Sequence, residues 1–191
     1  MSDIFTGVAQ ASGAIAVDKN TVRVHVTPGQ FIELATTGTW VQQVTTNVPE
    51  LFTTDASTTN VLQIPMPAEI SALASQSAGV DRGIQVVGLE LMYDVATSAL
   101  ASMDIDIFRI NFAAADGAAT AVAVPDTTTF LPDGNDGTEV DVHRVIVSIA
   151  ANDRFFLDGD STIYANVQMT DGTASDITIS GAIWHLRRVY E

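Results

Sequence analysis

Thr21-Val22-Arg23-Val24-His25-Val26 places three valines on one face and polar side chains on the other, and Pro28-Gly29 ends the run. The same alternation returns in Phe31–Leu34, Thr39–Thr45 and Asn60–Ile64, and then almost continuously from Gly83 to Tyr190. In Ile84–Val95, Val87, Leu89, Leu91, Tyr93 and Val95 share one face, while Glu90 and Asp94 share the other. Further runs cover Asp104–Phe112, Thr120–Val124, Val140–Ile149, Ser161–Thr170 and Asp176–Tyr190. Asp-Gly dipeptides at 116–117, 133–134, 136–137, 158–159 and 171–172 break them into hairpins. Period-2 patterning with this punctuation predicts strands.

One segment departs from the pattern. Pro67–Ser75 has Pro at its start, Glu69 in the first turn, and Ile70, Leu73 and Ala74 at helical spacing, so it predicts a short helical crossover. Three strands change phase midway, at Ile107/Phe108, Val142/Val145 and Ile183/Trp184. A phase change requires either a bulge or a strand covered on both faces. No repeat is visible, and strands do not alternate with helices, which removes solenoids, propellers and α/β enzymes. The expected architecture is all-β, an antiparallel jelly-roll sandwich of about 8–10 strands, with an immunoglobulin-like sandwich second. Residues 1–20, small and weakly patterned, are expected as an N-terminal arm, and 21–191 as a single β-sandwich domain.

Composition sharpens this picture. The chain has 191 residues and is 47% hydrophobic, enough for a substantial core built more from Ala and Val than from aromatics. The net charge is −15, with 17 Asp against 6 Glu. Asp favours turns and Glu helices, so the excess fits a turn-rich fold. Such a charge disfavours direct nucleic-acid binding and anionic membrane surfaces, and no run is apolar enough for a membrane-spanning helix. With no cysteine, disulfides and zinc-thiolate sites are excluded. Met1–Phe5 lacks the basic and apolar regions of a secretory signal, which leads to an expectation of cytoplasmic assembly.

The search for chemistry returns little. His25, His143 and His185 lie in separate strands without ligand-like spacing, so a metal site is disfavoured. Carboxylate pairs such as Asp104/Asp106 and Asp158/Asp160 are not accompanied by the aromatics of a sugar-cleaving cleft. Nucleophile and phosphate-binding motifs are missing, and no enzymatic activity is expected. Asp133, Asn135 and Glu139 set oxygen atoms at alternating loop positions and are candidate calcium ligands, although Asp-Gly turns produce the same letters. Ile4, Phe5, Trp40, Trp184, Arg187 and Arg188 are the candidate contact residues for a partner.

The stretch Gly83–Val95, continued to Trp184-His185-Leu186-Arg187-Arg188, resembles single jelly-roll virion proteins of tailed and tailless phages. That resemblance implies a structural subunit of a virus or phage particle, of capsid, cement or decoration type, located in the virion. It implies a homo-oligomer, a trimer first, packed against other shell proteins. The alternative is a carbohydrate- or receptor-binding β-sandwich module.

Overall fold

The computed structural model describes residues 21–34, 40–45, 48–53, 59–67, 70, 83–111, 119–131, 136–157, 161–170 and 176–189. The first six strands are β1 (Thr21–Val26), β2 (Ile32–Glu33), β3 (Val41–Thr45), β4 (Val48–Thr53), β5 (Thr59–Pro65) and β6 (Gly83–Ala96). They are followed by β7 (Ser102–Asn111), β8 (Thr120–Val124), β9 (Asp126–Leu131), β10 (Val142–Ile149), β11 (Ser161–Thr170) and β12 (Asp176–Val189). The all-β antiparallel sandwich predicted from the alternation is therefore observed, with twelve strands among the described residues rather than eight to ten. Of the predicted helical crossover only Ile70 is described as helical, its amide bonding to the Pro67 carbonyl; most of that segment lies outside the described residues. The arm at 1–20 also lies outside them.

Two sheets face each other. One has seven strands in the order β3-β4-β12-β6-β10-β9, with β1 also on β12; the other has five, in the order β2-β5-β11-β7-β8. The chain passes between sheets repeatedly, as between β8 and β9 at Pro125, where the missing N–H of proline suits a strand end. Between the sheets lies one large core of alternate residues. Leu89, Leu91, Tyr93 and Val95 of β6 and Trp184 and Leu186 of β12 meet Ile105 and Ile107 of β7 and Ile163 and Val167 of β11.

The phase changes have two physical origins. On β12 the register passes from Ile179↔Tyr93 to Gly181↔Met92, which leaves Ser180 as an extra residue. This bulge lets Ile177 and Ile179 reach the core and then brings Ala182, Trp184 and Leu186 onto the same side. Gly181 takes φ +149 there, a conformation side-chain-bearing residues rarely adopt. A second shift, between His185↔Gly88 and Leu186↔Val86, makes Val87 the extra residue of β6. Val87 accordingly leaves the face of Leu89 on which simple alternation puts it, and packs with Ile146 and Leu131 on the opposite face.

β7 and β10 keep continuous register, so Phe108 and Val142 point outward without any bulge. The seven-stranded sheet is thus covered on both sides at its centre. On its outer face Ile183, Ile146, Glu90 and His185 are all buried.

Candidate functional site

The two outer faces of the sandwich differ sharply, and the difference follows from the strand patterns. On the seven-stranded sheet, Glu90 is 6% exposed and His185 1% exposed. The Glu90 carboxylate accepts from Arg144 Nε at 2.6 Å and from His185 Nε2 at 3.0 Å. Burial alone would raise the Glu90 pKa, but the hydrogen bonds from His185 and Arg144, with their charges, bring it from 4.5 down to about 2. Glu90 is thus satisfied within the sheet, while His185 Nδ1 is buried without a partner. The cluster offers nothing to a ligand.

The outer face of the five-stranded sheet is the open one. In β11, Ser161, Ile163, Ala165, Val167 and Met169 are buried, which turns Tyr164, Asn166 and Gln168 outward. Register then fixes their neighbours. Tyr164 lies opposite Phe108 and Pro65, Asn166 opposite Asp106 and Gln63, and Gln168 opposite Asp104 and Val61. Directly opposite residues on antiparallel strands have Cβ atoms about 4.5–5.5 Å apart, so each row is a contiguous patch. Phe108 and Tyr164 stack with centroids 5.3 Å apart and planes 13° from parallel. The result is a half-buried aromatic pair bordered by amides and carboxylates.

Asn166 Oδ1 is buried and accepts no hydrogen bond. An unmatched buried acceptor of this kind costs about 1–3 kcal/mol unless water or a ligand meets it. Asp106 is pushed above the usual carboxylate range, first by burial and then by the negative charge of Asp104. At the start of β9, Asp126 lies beside this patch and accepts weakly from the Ile107 amide at 3.4 Å. Burial raises its pKa from 3.8 to about 6; the Ile107 bond opposes the rise, and the charges of Asp106 and Asp104 add to it.

For Asp126 the sign is clear. A carboxyl whose folded pKa is raised favours the folded state when protonated, and that stability is lost as pH rises from about 4 to 6. Asp126→Asn retains the acceptor and removes the charge. It is expected to raise stability at pH 7 by about 1 kcal/mol, discounted for solvent screening, and to leave it almost unchanged at pH 3.5. Urea denaturation at the two pH values checks this, and equal effects at both would rule out the crowding.

A second concavity, about 430 Å³, lies between the 3-10 turn Pro28–Gln30 and the β3–β4 hairpin. Pro28, Gly29, Gln42, Gln43, Val44 and Pro49 line it, and among the described residues it presents no aromatic ring.

The residues singled out from sequence are scattered. Trp40 and Trp184 are core residues, 7% and 0% exposed, which corrects their reading as contact residues. A bulky ring on the core-facing side of a strand is the natural filler of a thin sandwich, and Trp184 Nε1 finds its partner in the Pro65 carbonyl at 3.2 Å. Arg187 is half-buried and Arg188 exposed, at the end of β12. Ile4, Phe5, Asp133 and Asn135 lie outside the described residues.

Glu139 is exposed, and its backbone carbonyl meets His143 Nε2 at 2.7 Å. The neighbouring Asp136 holds the turn by accepting from the Thr138 amide and hydroxyl, which pulls its pKa down. Gly137 takes φ +80, and a Cβ there would collide with the Phe130 ring. Its carbonyl accepts from Tyr93 at 2.6 Å. Asp-Gly is here a conformational device.

The histidines point apart. His143 stacks on Tyr93 inside the core, His185 lies on the opposite face of the same sheet, and His25 is exposed on β1. Among the described residues no group of three His, Cys, Asp or Glu is arranged to hold a metal ion. The aromatic and amide patch itself was not singled out from sequence. Its signal was the second phase of β7, where Phe108 and Ile110 follow Asp104 and Asp106 on one face.

No protein-family model matches the chain, and comparison with the curated proteins finds no match. Among solved structures, a xylan-binding domain of carbohydrate-binding module family 22 is similar at 11% identity and TM-score 0.47. The similarity covers 88% of this chain and 96% of that one. The C-terminal family 22 module of Clostridium thermocellum Xyn10B is similar at 14% identity and TM-score 0.44, over 91% of this chain and 100% of that one. A mannan-recognising module, TmCBM27, gives 10% identity and TM-score 0.42, over 88% and 99%. These likenesses are of overall shape. The likenesses named here are to carbohydrate-binding modules, and the expectation of a virion structural subunit located in a phage particle is not borne out by them. A bacteriophage tailspike domain is also similar in shape, at 9% identity and TM-score 0.32 over 90% of this chain and 20% of that one.

Proposed function

We propose that this protein is a non-catalytic carbohydrate-binding module whose recognition surface is the outer face of the five-stranded sheet. The observation that carries the reading is the Phe108–Tyr164 pair at the middle of that face, flanked in register by Asp106, Asn166 and Gln63. A pyranose has an apolar C–H face and a rim of hydroxyls. Aromatic rings supply the flat apolar counterpart, and amides and carboxylates around them supply donors and acceptors for the rim. At the centre of the opposite outer face Glu90, His185, Ile146 and Ile183 are buried. The described residues that line the cleft at Pro28 and Gln42 supply polar groups and no aromatic ring.

Affinity electrophoresis in gels containing soluble xylan, mannan or mixed-linkage β-glucan tests this. At least one neutral polysaccharide is expected to retard the protein. Tyr164→Ala and Phe108→Ala are each expected to weaken retention by about 1–2 kcal/mol, roughly five- to thirtyfold in Kd, with melting close to wild type. Retention that survives both substitutions, or no retention by any of the three polymers, would overturn the reading.

A further inference from the structure

We infer that Asp104 and Asp106 make this face selective for uncharged polysaccharide and exclude chains that carry uronate or other acidic groups. The inference rests on the carbohydrate-binding reading and specifies the ligand class of the same site.

Asp104 and Asp106 lie two residues apart on the outward side of β7, both exposed, in the two rows next to the aromatic pair. Their cross-strand neighbours are Gln168 and Asn166, which are uncharged. Among the described residues, the outward positions of β2, β5, β11, β7 and β8 include no Lys, Arg or His. Arg109, the basic residue of β7, has the opposite phase and lies over the Phe155 ring at 5.0 Å. Among the described residues, the charges that act on Asp106 and Asp126 are those of other carboxylates, and no cation of this face offsets them.

A hydroxyl-rich neutral chain meets such carboxylates as hydrogen-bond acceptors, which are strong when ionised. A uronate chain brings a second set of anions to within a few ångströms of them, well inside the screening length of about 10 Å at 0.1 M salt. The aromatic pair gives both chains the same stacking surface. Discrimination then falls on Asp104 and Asp106.

The experiment compares a neutral polymer retained in the panel above with an acidic counterpart, in affinity gels at 20 mM and 500 mM NaCl: mannan or β-glucan with the same polymer oxidised at C6 to its uronate, and xylan, which has no C6, with a glucuronic-acid-substituted xylan. Wild-type protein is expected to bind the acidic polymer at least about tenfold more weakly at low salt, with the gap narrowing at high salt. The Asp104→Asn/Asp106→Asn double variant keeps the shape and amide acceptors but loses the charged ones; it is expected to bind the neutral polymer more weakly than wild type while binding the two forms within about twofold of each other. If the double variant still rejects the acidic polymer, loss of the C6 hydroxyl or the added substituent, and not charge, sets the preference, and the inference falls while the binding reading stands. Equal binding of both polymers by wild type also overturns it. If no neutral polymer is retained by wild type, both readings fall together.

Discussion

Trp184→Ala is expected to destabilise the protein by about 3–5 kcal/mol, the range for truncating a large aromatic side chain in a well-packed core. The indole is fully buried between Leu89 of β6 and Val24 of β1 in register, and it belongs to the single cluster that joins the two sheets. Truncation removes apolar area and leaves a cavity in a layer only one side chain deep on each side. It also strips the Pro65 carbonyl of its donor. Replacement by Phe keeps most of the volume and is expected to cost markedly less, with the remaining loss reflecting the missing N–H. Urea denaturation gives the answer directly. If Trp184→Ala cost less than about 1 kcal/mol, the indole would not hold the sheets together, and its role as a surface contact would have to be reconsidered. The distinction matters because a residue used only for contact changes binding without changing the unfolding midpoint.

Trp184 also shows how far the fold can be read from the chain. Alternation in β1, β5, β6, β11 and β12, together with the Asp-Gly turns, was enough to indicate an antiparallel sandwich, because period 2 is imposed by the pleat itself. Which face a given residue occupies was harder to read. Val87 sits in phase with Leu89 in sequence, yet the extra residue in β6 sends it to the outer face. Ser180 does the same to the second half of β12, and a bulge has no sequence mark beyond the adjacent Gly181. Trp40 and Trp184 were assigned to contacts because rare large aromatics suggest anchors. A thin core needs them as filler for the same reason.

The platform was hidden for a different reason. Phe108 and Tyr164 are far apart in sequence, and only the β7–β11 register makes them neighbours. Asp104 and Asp106 were noticed as a pair, but a pair of carboxylates carries no meaning until its cross-strand partners are known. Pairing of distant strands is the step that alternation leaves open.

Glu90→Gln is the companion experiment, and its largest effect is on pH dependence. In the folded protein, the His185 and Arg144 hydrogen bonds more than offset burial, so the Glu90 pKa falls from 4.5 to about 2. A depressed carboxyl pKa contributes stability that is present above about 4.5 and lost as pH falls through 2. The shift corresponds to at most about 3 kcal/mol, with the Arg144 share reduced because that side chain is 51% exposed. At pH 7 the Gln variant is expected to be less stable by about 2 kcal/mol, since His185 keeps a buried position beside a neutral and weaker acceptor. As pH falls toward 2 the two proteins should converge.

Asp126 acts in the opposite direction, gaining stability as it protonates between about 6 and 4, and a net charge of −15 eases in the same interval. Together these groups place the stability maximum of the wild type near pH 4.5, with Asp126 shaping the neutral side and Glu90 the acid side. Urea midpoints at pH 3, 4.5 and 7 separate the two. The Glu90→Gln variant should lose the steep acid limb and keep the neutral one, whereas Asp126→Asn should do the reverse. An acid limb equally steep in the Glu90→Gln variant would assign acid unfolding to other carboxylates and remove the Glu90 cluster from the account.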